Sequence, residues 1–333
     1  MYRPPFEITA KIIELISRIS EKIGEIRSLQ NSPAHIRLRK ENRIKTIHSS
    51  LAIENNSLSI EQITAILEGK RVLGSPREIK EVKNSIEAYE LLLKLDPFRE
   101  TDLLKAHRLM MSDLVSESGK YRSGAVGIFD GEHVVHVAPP AGRVPALMSD
   151  LFGWLRLSDA HPLIKSCVFH YEFEFIHPFQ DGNGRMGRLW QTVILKEWRE
   201  VFAWLPVETL VKENQKAYYA ALGASDKDAD STGFIEFMLL LLLKTIEDVI
   251  RSEKATKKVT AKVTVKVTAN QRKILENLIQ NPHATQAELA GIVGITRKSI
   301  VANMKRLQEL KLIRRKGADK NGLWLVEAAK WQA

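Results

Sequence analysis

The stretch HPFQDGNGRMGR, His177 to Arg188, combines residue types that ordinary loops and core helices keep apart. It holds one imidazole, one carboxylate, a glycine-rich bend and two guanidiniums within a dozen residues. The first N–H groups of a helix are unpaired and carry the positive end of its dipole. A glycine-rich bend that feeds such a terminus is therefore a ready anion site. Gly182, Asn183 and Gly184 would let the backbone approach phosphate oxygens. Arg185 and Arg188 are three apart and share a helical face, where guanidinium forks suit phosphate. Asp181 can hold Mg²⁺, which needs a carboxylate plus phosphate oxygens rather than a full protein cage. His177, just before the bend, can take a proton from an attacking hydroxyl near neutral pH. Clamp, metal and base together describe a phosphoryl- or nucleotidyl-transfer site.

Outward from this stretch, helical periodicity dominates. FEITAKIIELISRISEKIGEI and RIKTIHSSLAIE repeat apolar residues at three- and four-residue spacing. A capping-box pattern, Ser59-x-x-Gln62, opens a helix that stops at Gly69. SPREIKEVKNSIEAYELLLKL is bracketed by Pro76 and Pro97. VPALMSDLFGWLRL, PLIKSCVFHYEFEFI and a segment opening near Asn183 are further helices, and SDKDADSTG, from Ser225, reads as a loop. The exception is AVGIFDGEHVVHVAPP, two β-rich runs around Asp130-Gly131, which is a hairpin signal.

The chain has 333 residues, 44% hydrophobic and 27% charged, as expected of a soluble globular protein of two or three domains. Its single cysteine, Cys167, rules out an internal disulfide and points to a reducing cytoplasm. The N-terminal stretch lacks the features of a signal peptide, and the leucine run from Phe237 to Leu243 is too short to span a bilayer, so no membrane role is expected. The net charge of +10 is uneven: residues 251–333 hold 18 Lys/Arg against 6 Asp/Glu, so the rest carries about −2. A basic tail on a nearly neutral body suggests a polyanion partner for the tail. KVTAKVTVKVTA, from Lys258, marks the boundary, either as an extended strand or as a linker. Beyond it, three helices with a turn at Gly294 and two strands resemble a winged helix-turn-helix. Its third helix would carry Arg297, Lys298, Asn303, Lys305 and Arg306 into a DNA groove. A protein-interaction or dimer module with a basic face stays open beside DNA binding.

HPFQDGNGRMGR resembles the Fic motif at every specified position, and the similarity runs from about Ile44 to about Ile250, including YRSGAVGI, VVHVAPPAGRVPALM and YYAALGASD. The resemblance implies a mainly α fold: a Fic-type helical bundle with a β-hairpin flap, plus a C-terminal winged helix. It implies transfer of AMP from ATP to a hydroxyl side chain (Ser, Thr or Tyr) of a target protein. His177 would be the general base, Phe179 the core anchor of the loop, and Asp181 the Mg²⁺ ligand. The nucleotide would lie against Gly182, Asn183, Gly184, Arg185, Met186, Gly187 and Arg188, with Arg188 on the γ-phosphate. Val135 and His136 of the hairpin would border it, and Tyr218 and Tyr219 would wall the adenine unless they only pack in the core. His133 and His136 have no partner at zinc spacing. The hairpin from Gly127 to Pro140 resembles the family's flap, to which an extended target segment would add as a strand.

SLAIEN, Ser50 to Asn55, matches the family's inhibitory-helix pattern. Ser50 and Glu54 are four apart on one helical face. The resemblance implies that Glu54 pairs with Arg188 and keeps the γ-phosphate from its productive pose. The expected organisation is an N-terminal helical region over 1–100 carrying that helix, a catalytic core over 101–250, a linker or strand over 251–268, and a winged helix over 269–333. The leading reading is an autoinhibited protein adenylyltransferase. A nucleotide-sensing DNA-binding regulator, hydrolytic removal of AMP with Glu54 orienting water, and a homodimer stay open.

Overall fold

The computed structural model describes residues 2–27, 33–130, 133–263, 267–316 and 322–326. The chain divides into two compact units, Met1–Ile250 and Arg251–Ala333. The first is helical: α1 (Ala10–Arg27), α2 (Pro33–Ile53), α3 (Ile60–Leu67), α4 (Pro76–Leu91) and α5 (Glu100–Met110) precede a hairpin. Its strands, β1 (Gly127–Asp130) and β2 (His133–Val137), pair antiparallel with a register shift between Ile128 and Phe129. Then follow α6 (Val144–Leu157), α7 (Pro162–Ile176), α8 (Asn183–Trp198), α9 (Val207–Glu213), α10 (Gln215–Asp228) and α11 (Thr232–Val263), of which the part up to Ile250 belongs to this unit. The boundary expected at residue 100 falls inside this unit, at the start of α5.

Local chemistry sets the helix ends. Ser59 and Gln62 form a reciprocal capping box on α3, and Gly69, at φ 74°, follows its C-terminal turn. Ser75 caps α4, with Pro76 in the first turn, where its missing N–H costs nothing. α7 is buried along nearly its whole length, so it shows apolar residues on all sides rather than one stripe. Phe169 and Phe173 stack, and Phe152 meets both Phe169 and Trp190 edge-on. This aromatic core joins α6, α7 and α8, and the HPFQDGNGRMGR loop links the last two.

Four expectations change. Helix α1 starts at Ala10 rather than Phe6, because the Thr9 hydroxyl accepts the Ile12 amide as a cap. SDKDADSTG is mostly helical: α10 runs to Asp228, Ala229 turns left-handed at φ 50°, and α11 resumes at Thr232. Asp130 is a strand residue paired with His133 rather than a turn residue, and Gly131 lies outside the described residues. The Lys-Val-Thr repeat is neither strand nor linker at its start, since α11 continues through Val263. A four-residue repeat is a multiple of two but also lies close to the 3.6-residue helical period, which explains the misreading.

The second unit contains α12 (Ala269–Gln280), α13 (Gln286–Val293), α14 (Arg297–Glu309), β3 (Ile313–Lys316) and β4 (Leu323–Val326). Thr268 and Thr285 open α12 and α13 with capping boxes, and Thr296 caps α14. Gly294, at φ 76°, makes the left-handed turn between α13 and α14. Ile274, Leu278, Leu289, Ile300, Leu307 and Trp324 form its own core. Three helices and a two-stranded antiparallel wing make it a winged helix-turn-helix.

Candidate active site

The loop after α7 begins with a left-handed residue that is not glycine: His177, at φ 48°. Its Nδ1 makes a long hydrogen bond, 3.3 Å, to the Glu174 carbonyl. A carbonyl only accepts, so this contact assigns the ring proton to Nδ1 and leaves Nε2 as the basic nitrogen. Phe179 is fully buried and stacks face to face on His107, 3.6 Å between centroids. Asn183 brackets Phe179 by accepting its N–H and donating to its carbonyl, both at 2.9 Å. The Asn183 side chain thus fixes the bend, leaving only its backbone to face an anion.

His107 locks the next residue. Its Nδ1 accepts the Gly119 amide at 2.8 Å, so Nε2–H donates to the Asp181 carbonyl at 3.1 Å. Burial drives its pKa down to about 4, so it stays neutral. Gly182 turns at φ 85°, and α8 opens at Asn183. A Cβ on Gly182 would lie 2.6 Å from the Met111 sulfur, so the bend needs glycine for both reasons.

The two arginines of α8 differ. Arg188 is 3% exposed and held by α2: Nη2 donates to Glu54 Oε1 at 2.7 Å and to the Ser50 carbonyl at 3.1 Å, and Nε donates to Ser50 Oγ at 3.2 Å. Burial opposes its charge, but the groups around it, Glu54 first and then Tyr218 and Glu174, together outweigh that and hold its pKa above the usual arginine value. Arg185 is also buried, yet among the described residues its Nε and Nη1 have no hydrogen-bond partner. Nη2 meets Asp181 Oδ1 at 3.3 Å, and Nη1 lies 3.9 Å from Glu81.

The end of α2 explains its sequence pattern. The Asn56 amide bonds back to Leu51 and the Asn55 amide to Ala52, the paired bonds of a Schellman turn. Asn55 takes the left-handed position at φ 66°, where glycine or asparagine is favoured. Glu54 is the capping residue just before it, so the turn aims its carboxylate at α8. A Cβ on Gly184 would meet Glu54 Oε1 at 2.5 Å. The carboxylate therefore stands over the first turn of α8, in the space that a missing side chain leaves open.

Asp181 sits at the mouth, 40% exposed; Oδ1 accepts the Gly182 amide, and Oδ2 has a 3.5 Å contact with Arg77. Among the described residues no group of three or more His, Cys, Asp or Glu could hold a metal ion. One accessible carboxylate beside an anion site fits Mg²⁺ that draws its other ligands from phosphate and water. Tyr218 is a core residue, 1% exposed, whose hydroxyl meets His170 Nε2 at 2.9 Å. Tyr219 is 47% exposed and is the one of the pair able to offer a ring face. Met186 is fully buried in the hydrophobic core of the first unit. At Gly187 a Cβ would meet Glu174 at 2.7 Å, which makes this glycine a close-packing position between α7 and α8. The side chains of Val135 and His136 lie outside the described part.

The chain matches the Fic/DOC family over residues 97–195. It is also 44% identical to a Fic family protein of known crystal structure from Desulfovibrio desulfuricans G20, with a TM-score of 0.75 and 98% of each chain covered. This chain belongs to the Fic family. Residues 268–314 match a winged helix-turn-helix DNA-binding family. Fic-1 from C. elegans is 25% identical with a TM-score of 0.62 over 73% of each chain. Protein adenylyltransferase Fic of Culex quinquefasciatus is 28% identical over 72% of this chain and 49% of its own length. That of Nematostella vectensis is 28% identical over 72% and 56%. The chain thus spans about half the length of the curated relatives it matches. None of the described helices is long and apolar enough to cross a membrane.

Sequence reasoning missed four residues around the Fic loop: His107, Arg122, Glu174 and Glu208. Each is buried within a helix or connection, and of the four only Arg122 lay in a stretch singled out as similar to the family, YRSGAVGI, with no role assigned to it. Glu174 and Glu208 flank Arg188 and are pushed up to about 7, by burial first. The one available signal was a charged residue at an apolar-face position, which amphipathic patterning alone reads as noise.

Proposed function

We propose that this Fic protein transfers AMP from ATP to a hydroxyl side chain of a protein, and that Glu54 holds it inactive. The carrying observation is the Arg188–Glu54 pair at 2.7 Å over Gly184. A carboxylate fills the place at which an anion site would receive phosphate. Relatives named protein adenylyltransferase support the reaction class.

In this reading the α8 N-terminus and Arg185 hold the phosphates, and the Arg185 N–H groups that make no hydrogen bond among the described residues receive phosphate oxygens. Asp181 would hold Mg²⁺, which supplies charge neutralisation on the phosphates. His177 Nε2 removes the proton of a Ser, Thr or Tyr hydroxyl. That oxygen bonds to the α-phosphorus, the bond from the α-phosphorus to the bridging oxygen breaks, and pyrophosphate leaves; His177 then returns its proton to solvent. The target segment pairs with the β1–β2 hairpin as an added strand. Arg188 takes the γ-phosphate only after Glu54 withdraws. Hydrolytic removal of AMP would use the same groups with water in place of the hydroxyl.

The test is incorporation of label from [α-³²P]ATP by wild type and by Glu54→Gly at equal concentration. Glu54→Gly is expected to label itself faster. Equal rates from two folded proteins would remove the autoinhibition reading. Faster AMP release from a labelled protein by wild type would instead favour hydrolysis.

A DNA-binding role for the tail rests on a separate observation. Arg297, Lys298, Lys305 and Arg306 of α14 and Arg314, Arg315 and Lys316 of β3 are exposed on a winged helix. Asn303 is half-buried and donates to the Ser299 carbonyl, so it is the weakest of the expected DNA contacts. The full chain should bind a fluorescent duplex with an affinity that falls steeply with salt. Absence of binding at about 50 mM salt, where this electrostatic attraction is strong, would leave a protein-interaction module.

A further inference from the structure

Arg122 is 3% exposed, and among the described residues no carboxylate pairs with it. Burial alone pulls its pKa down. A buried cation without a counter-charge is costly unless its N–H groups are all spent well. Here they are spent on carbonyls from separate segments. Nε donates to the His177 carbonyl at 2.8 Å, and Nη2 reaches the Ile176 carbonyl at 3.4 Å. Nη1 donates to the Gly124 carbonyl at 2.9 Å, and Nη2 also donates to the Pro139 carbonyl. Its own amide donates to Pro178 at 3.0 Å. Ile176 is the last residue of α7, so the guanidinium also meets the negative end of that helix dipole.

The five atoms so bound fall into two groups. Ile176, His177 and Pro178 are the base and its neighbours. Gly124 and Pro139 are the two stems of the β1–β2 hairpin, just before one strand and just after the other. A planar fork of five N–H donors can bridge these segments, whereas an ammonium on a flexible stem cannot hold the same geometry.

We infer that Arg122 is a positioning residue that sets the hairpin in register with His177, so that a segment pairing with the strands presents its hydroxyl at the base. The inference rests on the proposed transfer. Backbone pairing fixes a target relative to the hairpin and nothing else. Some group must then fix the hairpin relative to the base, and Arg122 binds both. Misplacement by about 1 Å can cost about a hundredfold in rate.

The experiment uses full-length Glu54→Gly as parent, with Arg122→Lys and Arg122→Gln added separately. Self-labelling from [α-³²P]ATP gives kcat and KM for ATP, and hydrogen exchange by mass spectrometry follows residues 124–139 and 173–180. Both variants should lose at least about tenfold in kcat with KM for ATP changed less than about twofold, because positioning acts on the transition state rather than on nucleotide binding. Exchange should rise in both segments together and stay unchanged in α1, α3 and α11. An unchanged kcat for both variants overturns the inference. So does faster exchange across the whole first unit, since that marks a general loss of fold; Arg122→Lys, which keeps the charge, is the milder of the two in this respect. If the parent does not label at all, the transfer reading fails by itself. Exchange then decides on Arg122: joint loosening of the two segments supports the coupling, and no change in either refutes it.

Discussion

The two flanks of the Fic loop are built on opposite principles. On one flank Phe179, His107, Asn183 and Arg122 lock the bend through stacking and through hydrogen bonds to backbone atoms. None of these contacts needs a removable charge, and His107 is held neutral. On the other flank one guanidinium, Arg188, stands among three carboxyl groups: Glu54 in contact, Glu174 and Glu208 buried nearby. The lesson is a division of labour. Shape is fixed by stacking and backbone hydrogen bonds, and the contact that the proposed function exchanges for a phosphate sits where charges compete.

The largest expected effect tests the locked flank. His177→Ala should lower AMP transfer by about 10²–10⁴-fold, the span a positioned base contributes, while leaving ATP affinity intact. In the proposed function the phosphates rest on α8 and its arginines, not on the imidazole. Single-turnover labelling alongside calorimetric titration with ATP measures both. A parallel loss of affinity would show that the histidine supports the fold of the loop rather than the chemistry.

The exchangeable flank should give a smaller effect of opposite sign. Glu54→Gly frees the guanidinium from a charge-assisted hydrogen bond worth roughly 1.5–3 kcal/mol, so transfer should rise on the order of ten- to a hundredfold. Arg188→Ala should not imitate it, because in the proposed function it removes the phosphate ligand together with the inhibitory contact. The double variant should label as poorly as Arg188→Ala alone. A double variant as fast as Glu54→Gly would break the comparison, since Arg188 would then contribute nothing to catalysis.

How much of this could be read in the chain follows the same division. The contiguous motif and the Ser50-to-Asn55 pattern carry local signals: a bend that needs Gly182 at positive φ, and a left-handed Asn55 that ends α2. Both are legible because short-range backbone geometry dictates residue type. The locking residues outside the motif are not. His107 and Arg122 act through carbonyls of Asp181, His177 and Pro139, and any residue type presents a carbonyl. Their partners therefore leave no imprint on the sequence. The Lys-Val-Thr repeat failed for another reason: its period suits two secondary structures, and the continuing helix α11 decided between them.

The smallest expected effect sharpens the comparison through pH. Glu208 is fully buried; its Oε1 accepts the Tyr89 hydroxyl at 3.0 Å, and burial raises its pKa from 4.5 to about 7. Below pH 4.5 the group is protonated in folded and unfolded chains alike and does not affect stability. Between 4.5 and 7 the unfolded chain releases the proton while the folded chain keeps it, so stability falls as pH rises. Above 7 both forms are ionised and the loss is complete. Glu208→Gln cannot titrate. Its melting temperature relative to wild type should therefore climb from pH 5 to pH 7.5, whatever the offset at pH 5. Each kcal/mol moves the midpoint by about 2–4 °C in a unit of this size, so a rise of several degrees is expected. Glu174 titrates in the same sense, and His107 and His170, each held near 4, act in the opposite sense. All three remain in both proteins, so the difference isolates Glu208. His107→Gln supplies the matched control on the locked flank. Its ordinary value of 6.5 is lowered to about 4, so the wild-type ring loses stability as pH falls below 6.5 and the variant does not. The gap between wild type and His107→Gln should thus open toward acid, and that between wild type and Glu208→Gln toward base. Two gaps that open in the same pH direction would show that the flanks do not differ in the way their charges are placed.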